Sequence, residues 1–253
     1  MMKSFQELKA ESLKALFIKE MEDKILSGEL KPGDRLPPER NMSSQMGISR
    51  SIVNAGMVEL AAKGFVAIKP RKGTVVLDFR TEGTPQMLSS IMNYNHGKLD
   101  MELFYSLMET RMLLEVESAR LAAVNRKPED LKALKNFIAT IKSKEKPSIT
   151  EIADFNFLFH YRVVMASGNI IFSMIFKSFE PVCKSLITKF FSRDGLLQQS
   201  LKQHEALYDS ILHKDSSLAA DSMKSILLTG ISELELLNKD KEAHNNHFFL
   251  DKP

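Results

Sequence analysis

The sequence is poor in the features that would take it out of the ordinary cytoplasmic, globular class. It has one cysteine, Cys183, in 253 residues. No internal disulfide can form, a reducing compartment fits, and the thiol reads as a small core residue rather than a nucleophile. The longest apolar runs, such as 170-IIFSMIF-176, break off well short of the roughly 18 residues that a membrane span needs. The N-terminus lacks a signal-peptide layout, so the expectation is a cytoplasmic protein with no membrane partner. There is no Gly-rich phosphate loop, nucleophile elbow or paired-carboxylate motif, and nothing supports an enzyme. The net charge is only +3, too small to name a partner by itself.

Hydrophobic residues make up 43% and charged residues 26%, the range of a folded globular chain, and the length suits two domains with separate cores. Charge is unevenly placed. Residues 1–80 hold 14 Lys/Arg against 10 Asp/Glu, whereas the remainder holds 21 against 22. A basic head on a neutral remainder hints at a polyanion partner.

Residues 5–27 repeat apolar positions at helical spacing (Leu8, Leu13, Leu16, Phe17, Met21, Ile25), with Ser4 as cap and Gly28 as stop. The stretch 29-ELKPGDRLPP-38 is a turn-rich connection, and Pro37 or Pro38 is suited to start a second helix that runs to about Met46. Gly47 permits a tight turn. Ser49 can cap a third helix whose stripe is Ile52, Val53, Met57, Leu60 and Ala61. After Gly64 the period changes to two: 65-FVAIK-69, a break at Pro70 to Gly73, then 74-TVVL-77, which reads as a β-hairpin. Residues 78–85 lack periodicity and are the candidate linker. Beyond them every segment is helical, at roughly 86–95, 99–125, 128–143, 148–167, 169–192, 195–213 and 215–238, with a polar tail at 239–253. His244 and His247 in that tail are read as incidental.

Helix, turn, helix and a basic-tipped hairpin make a winged helix-turn-helix, whose third helix suits a DNA major groove. Arg35 precedes the second helix, Arg40 lies in its first turn, Arg50 opens the third, and Arg71, Lys72 and Gly73 form the wing tip. Ser49 and Ser51 add hydroxyls and free N–H groups at a helix N-terminus, where a phosphate is welcome. Asn54, in the middle of the third helix, offers an amide that pairs best with adenine. Gly56 costs that helix about 1 kcal/mol relative to Ala, for which a close backbone approach within the head is one reason.

The runs 25-ILSGELKPGDRLPPER-40, 48-ISRSIVNAGMVELAAKGFVAI-68 and 73-GTVV-76 resemble the N-terminal domain of GntR-family bacterial transcription regulators. The resemblance implies a homodimer on palindromic operator DNA whose affinity responds to a small effector. It also implies an arginine where this chain has Asn54, and an acidic-alanine pair where it has Ala55-Gly56. Residues 109-ETRMLLEVESARLAA-123, 160-HYRVVMASGN-169 and 204-HEALYDSILHKDSSLAADSM-223 resemble the all-helical FCD effector domain of the FadR subfamily.

That domain class often holds a metal through one Asp and three His. His160 and His204 match two of these positions, but Asn156 replaces the Asp and Ile226 the last His. Two imidazoles and a neutral amide make a poor site for zinc, nickel or manganese, so the expectation is a pocket without a metal, lined by His160 and His204. Arg111 is the residue to pair with an anionic group, against the alternative of a structural ion pair with a nearby glutamate. Arg162 and Asn169 are further pocket candidates. The 14 Met and 16 Phe are core, and suit a deformable apolar cavity for a carboxylate or acyl ligand.

The expected fold is mainly α. A winged helix-turn-helix spans 1–77, a linker 78–85, an all-helical effector-binding and dimerisation domain 86–238, and a tail 239–253. The alternative function is a metal- or metabolite-binding sensor whose head has lost DNA affinity.

Overall fold

The computed structural model describes residues 11–85, 87–94, 101–193 and 195–248, and within its helices not the side chains of 89, 92, 93 and 239–248. The chain divides into two compact units, Met1–Gly97 and Lys98–Pro253. No described helix is long and apolar enough to cross a membrane.

In the first unit, α1 spans Leu13–Leu26, and Ser12 caps it by accepting from the Ala15 amide at 3.2 Å. Ser4 and Leu8, assigned to this helix from spacing, lie outside the described residues. α2 spans Glu39–Met46, and Pro38 stands just ahead of it. Gly47, at φ 65, ends it in the left-handed region. α3 spans Arg50–Lys63, capped by the Ser49 hydroxyl and stopped by left-handed Gly64. β1 (Val66–Lys69) and β2 (Gly73–Val76) form the antiparallel wing, with Val66 opposite Val76 and Lys69 opposite Gly73. The proline-rich connection is not free loop. The Gly33 amide donates to the Val76 carbonyl and the Leu36 amide to that of Thr74, so the segment lies along the outer edge of β2.

Phe17, Met21, Val53, Met57, Leu60 and Phe65 fill the core of this unit. Gly56 lets α1 approach α3: a Cβ there would lie 2.3 Å from Phe17 Cδ1.

The expected linker is displaced. Residues 79–82 form the short helix α4 (Phe79–Glu82), and α5 (Met87–Tyr94) packs on α1 rather than opening the bundle. Met87 is buried in the head core, and Thr84 Oγ1 donates to the Lys63 carbonyl at 2.8 Å. These contacts hold residues 78–94 to the first unit, and the division falls after Gly97.

The second unit is all-helical: α6 (Met101–Asn125), α7 (Pro128–Lys142), α8 (Ile149–Ala166), α9 (Ile170–Ser178), α10 (Glu180–Phe190), α11 (Leu196–Leu212) and α12 (Ser216–Phe248). α8 is buried around most of its girth, the pattern of a central helix, and it packs against α6, α7 and α10. The single helix expected over 169–192 is two. Asn169 caps α9, the chain turns at Phe179, and Pro181 sits in the first turn of α10, where its missing N–H costs nothing. The tail continues α12 as helical backbone to Phe248, so His244 and His247 fall on a helix, with side chains outside the described set.

Candidate nucleic-acid interface and effector pocket

In the head, Arg35, Arg40, Ser49, Arg50, Ser51, Asn54, Arg71, Lys72 and Gly73 are all exposed. Among the described residues, the five cations of that set make no ion pair, whereas Lys14, Lys24 and Lys63 of the same unit are each matched to a glutamate. Unneutralised cations on one element set are what a phosphate backbone needs. Ser49 Oγ lies 2.9 Å from Ser51 Oγ, two hydroxyls side by side at the N-terminus of α3. Arg71 holds a left-handed φ of 62 at the wing turn, next to Gly73 at φ 85, so the tip is a tight turn that presents Arg71 and Lys72. Asn54 Nδ2 donates to Glu39 Oε1 at 3.0 Å, a tie between α3 and the start of α2 that spacing alone did not reveal.

The bundle holds a partly open cavity of about 50 Å³, bordered by α6, α8, α10, α11 and α12. Its polar side is built on Glu115. Glu115 is fully buried on α6, one turn after Arg111, and its Oε1 accepts from Arg111 Nε at 2.7 Å. Its other oxygen, Oε2, meets His160 Nδ1 from α8. Burial works to raise the Glu115 carboxyl, but the charges of Arg111 and His160 outweigh it and hold it below the usual carboxylate range. Burial likewise opposes the Arg111 charge, and the neighbouring Glu115 reverses this, so the guanidinium titrates above its ordinary value. Arg111 Nη1 touches Met108 Sδ at 3.8 Å.

His204, on α11, is pushed down to about 3 by burial and then by the neighbouring His160, so it is neutral. Its Nδ1 lies 2.7 Å from the Ser200 carbonyl, which makes Nδ1 the protonated nitrogen. Nε2 is then an acceptor, and Asn156 Nδ2 lies 3.4 Å from it.

Asn156, His160, His204 and Ile226, the four positions for which the resemblance implied a metal site, therefore come together, with His160 and His204 rings 5.2 Å apart. They do not fit a divalent ion. Ile226 offers no donor, the Asn156 amide is spent on His204 Nε2, and no described group of three or more His, Cys, Asp or Glu is placed to hold a metal.

Two pocket candidates serve elsewhere. Arg162 pairs with Asp130 at 3.2 Å on α7, because two residues after His160 it projects from another face of α8. Asn169 caps α9, accepting from the Ile171 and Phe172 amides. Cys183 is buried with its thiol raised to about 11 by that burial, and Asp154 pairs with Lys184 on the outside. Glu115 is the nearby glutamate of the structural ion pair set as the alternative for Arg111, and its spacing of four from Arg111 on one helix is the signal that names it. Ser200, Gln203, Phe190 and Phe191, which also border the cavity, carry no such signal.

Residues 17–76 match the description "Bacterial regulatory proteins, gntR family", and residues 106–229 match the FCD domain. The chain is 28% identical over 205 residues to the HTH-type transcriptional regulator LutR of Bacillus subtilis, covering 79% of this chain and 90% of that one. It is 25% identical over 224 residues to an Escherichia coli protein named putative L-lactate dehydrogenase operon regulatory protein, covering 85% and 83%. Among solved structures, Lar, which controls expression of the Listeria monocytogenes agr system, superimposes with a TM-score of 0.64 at 20% identity, over 91% of this chain and 100% of that one. With its wing-bearing head matched to one description and its helical bundle to the other, the chain belongs to the gntR family of bacterial regulatory proteins and is a DNA-binding transcription regulator with an FCD effector-binding domain.

Proposed function

We propose that a small carboxylate metabolite controls the operator affinity of this regulator by binding in the bundle cavity without a metal ion. The observation that carries this reading is the buried Arg111, whose Nε is held by Glu115 while the residue borders the cavity. A guanidinium fixed on one edge keeps its other N–H groups for a planar anion. A cavity of about 50 Å³ is on the scale of a few water molecules. That suits a short acid. The relative named for an L-lactate dehydrogenase operon makes short acids the natural first probes.

The regulator is further proposed to act as a cytoplasmic homodimer with no catalysis of its own, two heads reading two half-sites and the ligand favouring one dimer geometry. Leu113 and Val124 on α6 and Ile170, Ile171 and Met174 on α9 are large apolar residues left exposed on neighbouring helices. Between Leu113 and Val124 lies an exposed Glu117–Arg120 pair. A face with apolar residues and both charge signs is self-complementary, as a two-fold interface requires, and a second copy is its proposed occupant.

The test is a mobility-shift and thermal-shift series on EDTA-treated protein, using DNA upstream of its own gene and a panel of short organic acids. A rise in melting temperature and a changed shift with the same acid support the reading. One equivalent of zinc, nickel or manganese per purified chain, with loss of the response in EDTA, overturns the metal-free site. An unchanged melting temperature with every acid overturns the carboxylate.

A further inference from the structure

Arg50, Ser51, Asn54, Ala55 and Val58 recur at the spacing of one continuous face of α3, and all five are exposed. Asn54 is the amide on that face. Its Nδ2 donates to Glu39 Oε1 at 3.0 Å, from the first residue of α2. A carboxylate only accepts hydrogen bonds, so the end of the amide turned toward Glu39 is its nitrogen, and the flip open to an exposed asparagine is closed. Glu39 makes no ion pair and no second side-chain hydrogen bond among the described residues. A carboxylate works against phosphate binding, which leaves the Asn54 amide as the group through which Glu39 serves DNA recognition.

We infer that Glu39 is the positioning residue that makes Asn54 choose adenine over guanine. Both purines present N7 as an acceptor in the major groove, but adenine adds the N6 donor and guanine the O6 acceptor. An amide nitrogen with both hydrogens free can give one to N7 and one to O6, and so satisfies guanine as well as adenine. Glu39 takes one of these hydrogens. The hydrogen that remains reaches N7 while Oδ1 accepts from N6, a complete match for adenine. On guanine the same arrangement sets Oδ1 against O6, acceptor facing acceptor. The inference rests on the reading that Asn54 faces a base, and adds to it the residue that sets the choice.

The test is selection of the full-length protein on a random-operator library, followed by anisotropy titrations on two duplexes of the selected site at one salt concentration. The position read by Asn54 is the one whose preference Asn54→Ala abolishes, and the duplexes carry adenine or guanine there. The unaltered protein is expected to bind the adenine duplex about tenfold tighter or more. Glu39→Ala is expected to bring the two within about threefold, with the gain on the guanine duplex. A Glu39→Ala protein that keeps the tenfold ratio overturns the positioning role, even if both affinities fall, since a merely structural part in α2 weakens both duplexes alike. A ratio that narrows only by loss on the adenine duplex overturns it as well, because no second donor has then been released. If Asn54→Ala alters the preference at no position, the base reading itself fails and the inference with it. Should Glu39→Ala fail to fold, Glu39→Ser, whose hydroxyl is too short to reach Asn54, decides in its place.

Discussion

Asn54 Nδ2 donates to Glu39 Oε1 at 3.0 Å, so the residue that replaces a cation in the recognition helix is held in place by the first residue of α2. The amide keeps its second N–H hydrogen and its carbonyl oxygen, the pair that adenine N7 and N6 require. Selection from a random-operator library should return adenine at the position facing Asn54. Asn54→Arg should move the preference to guanine, and guanine recovered with the unaltered protein would sink this assignment.

Arg50, Arg71 and Lys72 are exposed cations with no intramolecular partner among the described residues. Arg50→Ala should weaken operator binding roughly tenfold or more, and loss of both wing cations should reduce the slope of log affinity against log salt by about two. Filter-binding or anisotropy titrations across a salt series measure both. An Arg50→Ala protein with unchanged affinity would instead favour a sensor whose head no longer reads DNA.

Gly56 faces the Phe17 ring, and a Cβ built there would lie 2.3 Å from Cδ1. Gly56→Ala should therefore destabilise the head by about 1–3 kcal/mol, although alanine is the better helix former. Denaturant unfolding gives the sign, and Phe17→Leu in the same chain should recover part of the loss.

Glu115→Gln removes the counter-charge from a fully buried guanidinium and should destabilise the bundle by about 3–5 kcal/mol. The acid limb carries a second signature. Since the folded carboxyl titrates below its ordinary value of 4.5, its stabilising contribution is fully present above that value and is lost as pH falls through the lower, folded one. Unfolding curves in buffers below pH 4.5 should show this dependence in the unaltered protein and lose it in Glu115→Gln.

Ile171 and Met174 are 60% and 64% exposed on α9. Met174→Asp should shift the chain from dimer to monomer by light scattering without lowering its helical content, since the altered side chain sits outside the core. A dimer that persists at low micromolar concentration places the interface on another face.

The head was legible because its signals are local. Pro38, Gly47 and Gly64 punctuate the chain where the backbone must stop or turn, and Val53, Met57 and Leu60 mark the buried side of α3 within a few residues of one another. The bundle's helices were legible for the same reason, apart from the break at Phe179. There the apolar pattern runs on through Pro181, and a proline in a first helical turn leaves that pattern intact. The pocket was half legible. Arg111, Asn156, His160, His204 and Ile226 do converge, but Arg162 and Asn169, chosen by proximity in sequence, face other partners.

What the sequence determined by itself was the order of the elements, the winged head and the all-helical remainder, since helix caps, turn glycines and side-chain period are properties of adjacent residues. Only the tertiary structure decided which buried charges meet. Glu115 reaches His160 across 45 residues of chain, a choice made when α6 and α8 pack, because a carboxylate taken out of water must find its partners wherever the packing brings them. Packing within the head likewise drew residues 78–94 onto it, where burying Met87 placed a helix expected to open the bundle in the first unit instead.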